Sequence, residues 1–415
     1  MTRAANDIGV PGGGISLRQL DRWLSGKVRA PRGAACRVAE HVFGMPIELL
    51  LGTAHPVPTT DNPSELPPAP VTMAEFVVRS AEASRDHAAL AAAGGVAEAT
   101  LEQLQAEVHR LAHAYASAPP LTLLAQLMRT RDLAYELLSR TRRPGQVAEL
   151  YLIAGQVCGL AATTSFDIGN RDAAEDHGRA AWTYADLIDH AALRAYARSV
   201  QATVAFWSGK ASEGLRYVDS GLRYAAGPAA VRLHAIGARA FALLPGSEAD
   251  ARNALRSATE IADRNQAGNE MTDEIGGEFA FGRPRFALCA GAVHVALGDG
   301  RSGAHWAREA LRLYRESAVD EQRWAVECGA LMDLATARAL QDNLDGAVEA
   351  LAPTLTLDPL RRTARLAQRL TTLRAAVRQS RYRGSPTARN VAGTIDEFTA
   401  ESLVHSGRLA LPAGS

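Results

Sequence analysis

Arg18, Gln19 and Arg22 lie within one short segment and carry the donors and acceptors needed to read base-pair edges. An arginine fork matches the O6 and N7 of guanine, and a glutamine amide matches the N6 and N7 of adenine. Just beyond them Lys27, Arg29 and Arg32 supply charges suited to phosphate oxygens, which set register but carry no sequence information. Residues 1–52 hold seven basic side chains against four acidic ones, on a chain whose formal net charge is zero. A global field toward nucleic acid or membrane is thereby excluded, and any such affinity has to be local. The same residues also suit the solvated face of a small helical cap, and composition alone does not separate the two readings.

Other chemistries find less support. Gly298, Gly300 and Gly303 match a G-x-G-x-x-G string, but the segment before them is alanine-rich and reads as helix. A dinucleotide site needs a strand there, so a hairpin corner explains these glycines better. His109 and His113 stand one helical turn apart with no third ligand at suitable spacing, which favours a solvated face over a metal site. Gly209-Lys210 lacks the rest of a phosphate-binding loop, and no G-x-S-x-G elbow occurs. The expectation is a protein that is not an enzyme and has no cofactor or metal. Cys36, Cys158, Cys289 and Cys328 form no C-x-x-C pair, which fits a reducing cytoplasm. No charged-then-apolar leader pattern begins the chain, so a location outside the membrane is expected.

The elements that would position these residues are helical throughout. Ser16–Leu24 reads as a helix, with Ser16 and Gln19 forming a capping box and Leu17, Leu20, Trp23 and Leu24 on its inner face. Gly26 ends it, and Ala34–Phe43 and Pro46–Leu51 follow as short amphipathic helices. Six prolines between Pro56 and Pro70 mark residues 53–70 as an extended, semi-rigid linker. Residues 71–145 form a helical connector broken at Gly94-Gly95 and Pro119-Pro120.

From 146 to 383 the pattern repeats as helix, tight turn, helix. Turns at Gly169, Gly209, Gly246, Gly298 and Asn343 each precede apolar residues at steps of three and four. After Gly169 these are Ala173, His177, Ala180, Tyr184 and Leu187, and after Gly209 they are Leu215, Val218, Leu222 and Ala225. The turns are 40, 37, 52 and 45 residues apart, longer than the roughly 34 of a standard tetratricopeptide unit. The expected fold is an all-α, tetratricopeptide-like solenoid behind a small helix-turn-helix module, with residues 384–415 as a tail. Within Pro359–Ser380 the arginines Arg361, Arg362, Arg365, Arg369, Arg374 and Arg378 have no acidic residue among them. A polar cap ending the array is the expected role, with an acidic partner as the alternative.

The string SLRQLDRWLSGKVRAPRGAACRVAEHVFGMPIELLLG, Ser16 to Gly52, resembles the back part of Xre/Cro-type helix-turn-helix domains. The segments ATLEQLQAEVHRLAHAY and ELYLIAGQVCGLAATTSFDIGNRDAAEDHGRAAWTYADL resemble the sensor region of actinobacterial regulators that join such a domain to tetratricopeptide-like repeats. The resemblance runs to about Ala376. It departs at the start: such domains usually open with a full helix before the stretch at Thr2–Ile8, and Pro11–Gly14 lengthens the turn. Either the coding start lies upstream or the module is degenerate.

The resemblance implies a DNA-binding transcriptional regulator. Ser16, Arg18, Gln19, Arg22, Lys27, Arg29 and Arg32 would contact operator DNA. The repeats would receive a peptide, a protein or a small ligand and mediate a homodimer. The rival is an interaction adaptor whose N-terminal module no longer binds DNA.

Overall fold

The computed structural model describes residues 22–23, 33–43, 47, 78, 80–81, 83–85, 95–264, 268–317 and 324–403. The chain divides into two compact units, residues 1–80 and 81–415. Among the described residues the structure is all-α, with no strand. In the first unit, α1 (Gly33–Phe43) buries Val38 and Ala39, and the Glu40 carboxylate accepts a hydrogen bond from the Ile47 amide at 2.9 Å. The linker at 53–70 lies outside the described residues.

The second unit opens with α2 (Glu98–Ala114) and α3 (Pro120–Arg140), separated by the expected break before Pro119-Pro120. Six helical hairpins follow: α4 (Pro144–Ile168) with α5 (Arg171–Leu187), α6 (Ala191–Trp207) with α7 (Ala211–Leu222), and α8 (Gly227–Phe241) with α9 (Glu248–Asp263). Then come α10 (Arg283–Ala296) with α11 (Gly300–Glu316), α12 (Trp324–Leu340) with α13 (Leu344–Leu355), and α14 (Ala364–Val377) with α15 (Pro386–Ala400). The result is a solenoid-like array. Pro386–Ala400, within the stretch set apart above as a tail, thus supplies the outer helix of the sixth hairpin, burying Ala388, Val391, Ile395 and Phe398.

The corners form where the glycines stand, because a chain leaving a helix this sharply passes through left-handed φ. Gly169, Gly209, Gly246 and Gly298 have φ of 96°, 80°, 80° and 74°, and Asp342 at 60° serves before Asn343. At three corners the next helix is capped at once by a side-chain oxygen. Asn170 accepts from the Ala173 amide, Asp299 from Ser302 and Asn343 from Gly346, at 3.1, 3.0 and 2.9 Å. An Asn170→Ala substitution is expected to cost about 1 kcal/mol; urea unfolding giving no measurable change would contradict this role for Asn170.

The packing stripe is finer than hydrophobicity suggests. On α5 the buried residues are Ala174, Gly178, Ala181 and Ala185, one position on from the expected set, while Leu187 is 62% exposed. On α7 they are Ala211, Gly214, Val218 and Gly221. Small residues carry the contact because they let the backbones approach, and larger side chains flank it. On α9 the buried residues are Ala251, Leu255 and Ala258.

Helix α4 is long and apolar enough to cross a membrane by composition, yet most of its length is buried among the other helices, which is compatible with a soluble protein. Its neighbours explain the composition, since α3, α5, α6 and α14 all contact it.

Candidate ligand-binding cavity

The first helices of the hairpins pack in succession, α4 on α6, α6 on α8, α8 on α10, α10 on α12 and α12 on α14. Helix α14 then returns to touch α4, so the inner helices close into a ring. A cavity of about 140 Å³ lies inside it, lined from every inner helix and from the segment around Glu278. Its walls combine aromatic side chains, among them Phe206, Trp207, Phe281 and Trp324, with five arginines: Arg232, Arg239, Arg285, Arg365 and Arg369.

The ring is closed by charge. Arg365 on α14 donates from Nε to Asp167 Oδ1 and from Nη2 to Asp167 Oδ2, both at 2.6 Å, across 198 residues of sequence. The Tyr115 hydroxyl donates to the same Oδ2 at 2.6 Å and also meets the Arg365 guanidinium. Burial disfavours the charge on Arg365, but Asp167 and then Tyr115 outweigh it and hold the guanidinium protonated more firmly than usual. Burial, opposed by Arg365, raises the Tyr115 hydroxyl well above its ordinary range. Gln368 adds a further tie across the ring, donating to the Trp207 carbonyl at 2.9 Å.

The expectation of a polar cap at Pro359–Ser380 is therefore corrected. Pro359–Arg361 is a short 3-10 turn, and the arginines after it mostly face inward or meet acids from other helices. Arg362 pairs with Glu401 at 2.5 Å, Arg369 with the buried Asp333, and Arg374 with Asp396 at 2.7 Å. Acids absent from the segment itself arrive from distant ones, and burying an unpaired guanidinium would be prohibitive.

A second network explains the 52-residue spacing between Gly246 and Gly298. The extra chain between α9 and α10 carries a π-helical turn, Glu270–Ile275, capped by Asn269, and then brings Glu278 and Phe279 into the interior. Glu278, 1% exposed, accepts from Arg232 Nη2 at 2.7 Å and Arg285 Nη2 at 3.0 Å. Arg232 Nη1 also donates to the carbonyls of Glu278 and Phe279, at 3.1 and 3.3 Å. Its charge is disfavoured first by burial and then by Arg285, with Glu278 opposing both. The segment is anchored to α2 by the Glu278 amide donating to the Ala112 carbonyl at 2.9 Å. His113 meets the Ile275 carbonyl at 2.9 Å.

Arg239 differs from the other four arginines. It lies partly buried with its guanidinium 4.8 Å from the Phe206 ring centre and 4.5 Å from that of Trp207. Burial, followed by repulsion from Arg369, pushes it down to about 10. Asp333, whose charge favours the Arg239 guanidinium, is paired with Arg369.

Of the expected DNA-contacting residues, Arg22 is described: it is helical and exposed, beside a Trp23 that is 8% exposed. Ser16, Arg18, Gln19, Lys27, Arg29 and Arg32 lie outside the described residues. Gly298 forms the corner between α10 and α11, and Gly300 and Gly303 lie buried in the first turn of α11, with helix rather than strand before them. Among the described residues no group of three or more His, Cys, Asp or Glu side chains could hold a metal ion.

The cavity residues were missed in sequence because their partners lie far apart along the chain. A usable signal did exist. Arg232 and Arg239 in GPAAVRLHAIGARAF, and Asp333 in WAVECGALMDLATARAL, are isolated charges inside otherwise buried, alanine-rich helices. No family model matches the chain, and a search of curated proteins finds no significant similarity.

Proposed function

We propose that the chain is a cytoplasmic, homodimeric DNA-binding transcriptional regulator whose second unit senses a small ligand. The observation that carries the sensing half is the cavity at which every inner helix of the ring converges. A ligand there touches several hairpins at once. Its differential affinity for two ring geometries would shift their populations, which is the requirement for a switch. The volume suits a small molecule better than a folded partner, and among the described residues α14 returns onto α4 instead of leaving the inner helices as an open arc. The adaptor reading therefore has less support.

The DNA-binding half rests on the resemblance of Ser16–Gly52 and on the exposure of Arg22 beside the buried Trp23. Arg18, Gln19 and Arg22 would face bases, while Lys27, Arg29 and Arg32 would hold phosphates.

The test is binding of the full chain to duplex DNA from its own upstream region over a range of salt. Three phosphate contacts per module predict a slope of log affinity against log salt of about −2.7 per module. The Arg18→Ala/Arg22→Ala chain should retain most of that slope yet lose preference for the cognate duplex. Absence of binding at low salt, both for this chain and for one with a restored upstream helix, would leave the adaptor reading in place.

A further inference from the structure

The five arginines of the cavity are answered by three carboxylates, Asp167, Glu278 and Asp333. Glu278 serves two of them, and Asp167 and Asp333 serve one each. Arg239 is left as the surplus cation, held by aromatic faces and the neighbouring Cys289 rather than by an acid. Next to it, Trp207 is 8% exposed, and its indole Nε1 has no hydrogen-bond partner among the described residues. Trp324 Nε1, also on the cavity wall, is likewise unsatisfied. Buried donors are ordinarily paired, so unsatisfied indole N–H groups beside a guanidinium that no carboxylate pairs indicate an acceptor still to arrive.

We propose that the cavity binds a small organic anion, its acid group received by the Arg239 guanidinium and the Trp207 indole N–H. The proposal rests on reading the cavity as the sensor site and names the chemistry of its ligand. The remaining body of the ligand lies against Phe206, Leu288 and Val326, which line the same space. The cavity holds about ten water-sized positions, room for a compact acid of similar heavy-atom count. A cation would meet a lining whose five arginines outnumber the three carboxylates paired with them. A neutral apolar ligand would leave Arg239 and both indole N–H groups without acceptors. A charge-assisted hydrogen bond gives an anion its advantage over a neutral molecule of the same shape. Carboxylates and phosphate monoesters share this chemistry.

Isothermal titration calorimetry on the full chain distinguishes them, with benzoate and phenyl phosphate as probes and benzyl alcohol as the neutral control. At least one anion is expected to bind, and benzyl alcohol should bind roughly 10- to 100-fold more weakly. Binding of benzoate alone assigns a carboxylate ligand, and binding of phenyl phosphate alone assigns a phosphate monoester. Arg239→Met should weaken anion binding by a similar factor, and Trp207→Phe, which keeps the ring and removes the N–H, by a smaller one. If Arg239→Met fails to fold, Arg239→Lys should still bind, but more weakly, because it loses the planar fork.

Equal binding of benzyl alcohol and the anions, or undiminished anion binding by both Arg239 variants and Trp207→Phe, would overturn the proposal. So would failure of both anions to bind a folded wild-type chain. That last result with salt-dependent DNA binding intact defeats the anion and leaves the regulator reading standing. Anion binding without any DNA binding supports the anion and defeats the regulator.

Discussion

A Glu278→Ala chain is expected to lose about 3–5 kcal/mol of stability, the cost of stranding buried charge. Glu278 is 1% exposed, and Arg232 and Arg285 both donate to its Oε1. Arg232, with its side chain 7% exposed, is left as a largely buried charge with no ion-pair partner among the described residues once Glu278 is gone. Its remaining hydrogen bonds, to the carbonyls of Glu278 and Phe279, belong to the same segment. Removal of the acid therefore acts twice, on the charge balance and on the placement of the chain from Glu270 to Phe281. Glu278→Gln keeps an acceptor oxygen and loses the charge, so its cost should fall between those of the wild type and Glu278→Ala. Urea unfolding followed by far-ultraviolet circular dichroism measures both. A Glu278→Ala chain within about 1 kcal/mol of wild type, well below the range for a broken buried pair, would show that the network is hydrated in solution.

The second large effect is expected at the ring closure. Asp167→Ala removes both acceptors of the Arg365 fork and the acceptor of the Tyr115 hydroxyl. Arg365 keeps only a long contact to the Thr163 carbonyl, at 3.4 Å, and its contact with Tyr115. The expected loss is again about 3–5 kcal/mol, but the distribution differs from that of Glu278→Ala. Helix α14 meets α4 here, whereas its contacts with α12 and α15 are independent of Asp167. Hydrogen exchange should therefore quicken in α14 and at the Tyr115 end of α2, while α8 and α9 stay protected. Uniform quickening across all hairpins would show that ring closure is not a separable step. Asp167→Asn, which keeps one acceptor, should fall between the alanine variant and wild type.

The corners of the array were legible because they depend on local chemistry. A left-handed glycine followed by a capping Asn or Asp announces itself within four residues, as at Gly169-Asn170 and Gly298-Asp299. The buried stripes were less legible. Selecting apolar residues by size picks Leu187, which is 62% exposed, and passes over Gly178, Gly214 and Gly221, where the helices meet. Hydrophobicity ranks a side chain by its transfer from water, whereas a close helix crossing selects for the absence of side chain.

The cavity was the least legible part. Arg365 and Asp167, Arg232 and Glu278, and Arg369 and Asp333 lie 198, 46 and 36 residues apart, so neither partner signals the other locally. A run of arginines without neighbouring acids looks solvated in one dimension and is neutralised in three. For the N-terminal module, the expectation of Trp23 inward and Arg22 outward agrees with the burial of Trp23 and the exposure of Arg22, while Leu20 and Leu24 lie outside the described residues.

Ring closure also sets an order of events during synthesis. An open solenoid can consolidate hairpin by hairpin as it leaves the ribosome, since each repeat needs only its neighbours. Here Asp167 emerges 198 residues before the arginine that neutralises it. At roughly 5–20 residues per second that is a wait of about 10–40 s. During that interval the inner faces of α4 and α6 stand open, with aromatic rings and unpaired acid exposed together. The nascent chain is then at its most vulnerable to wrong partners, and a truncation before α14 would hold it in that state permanently.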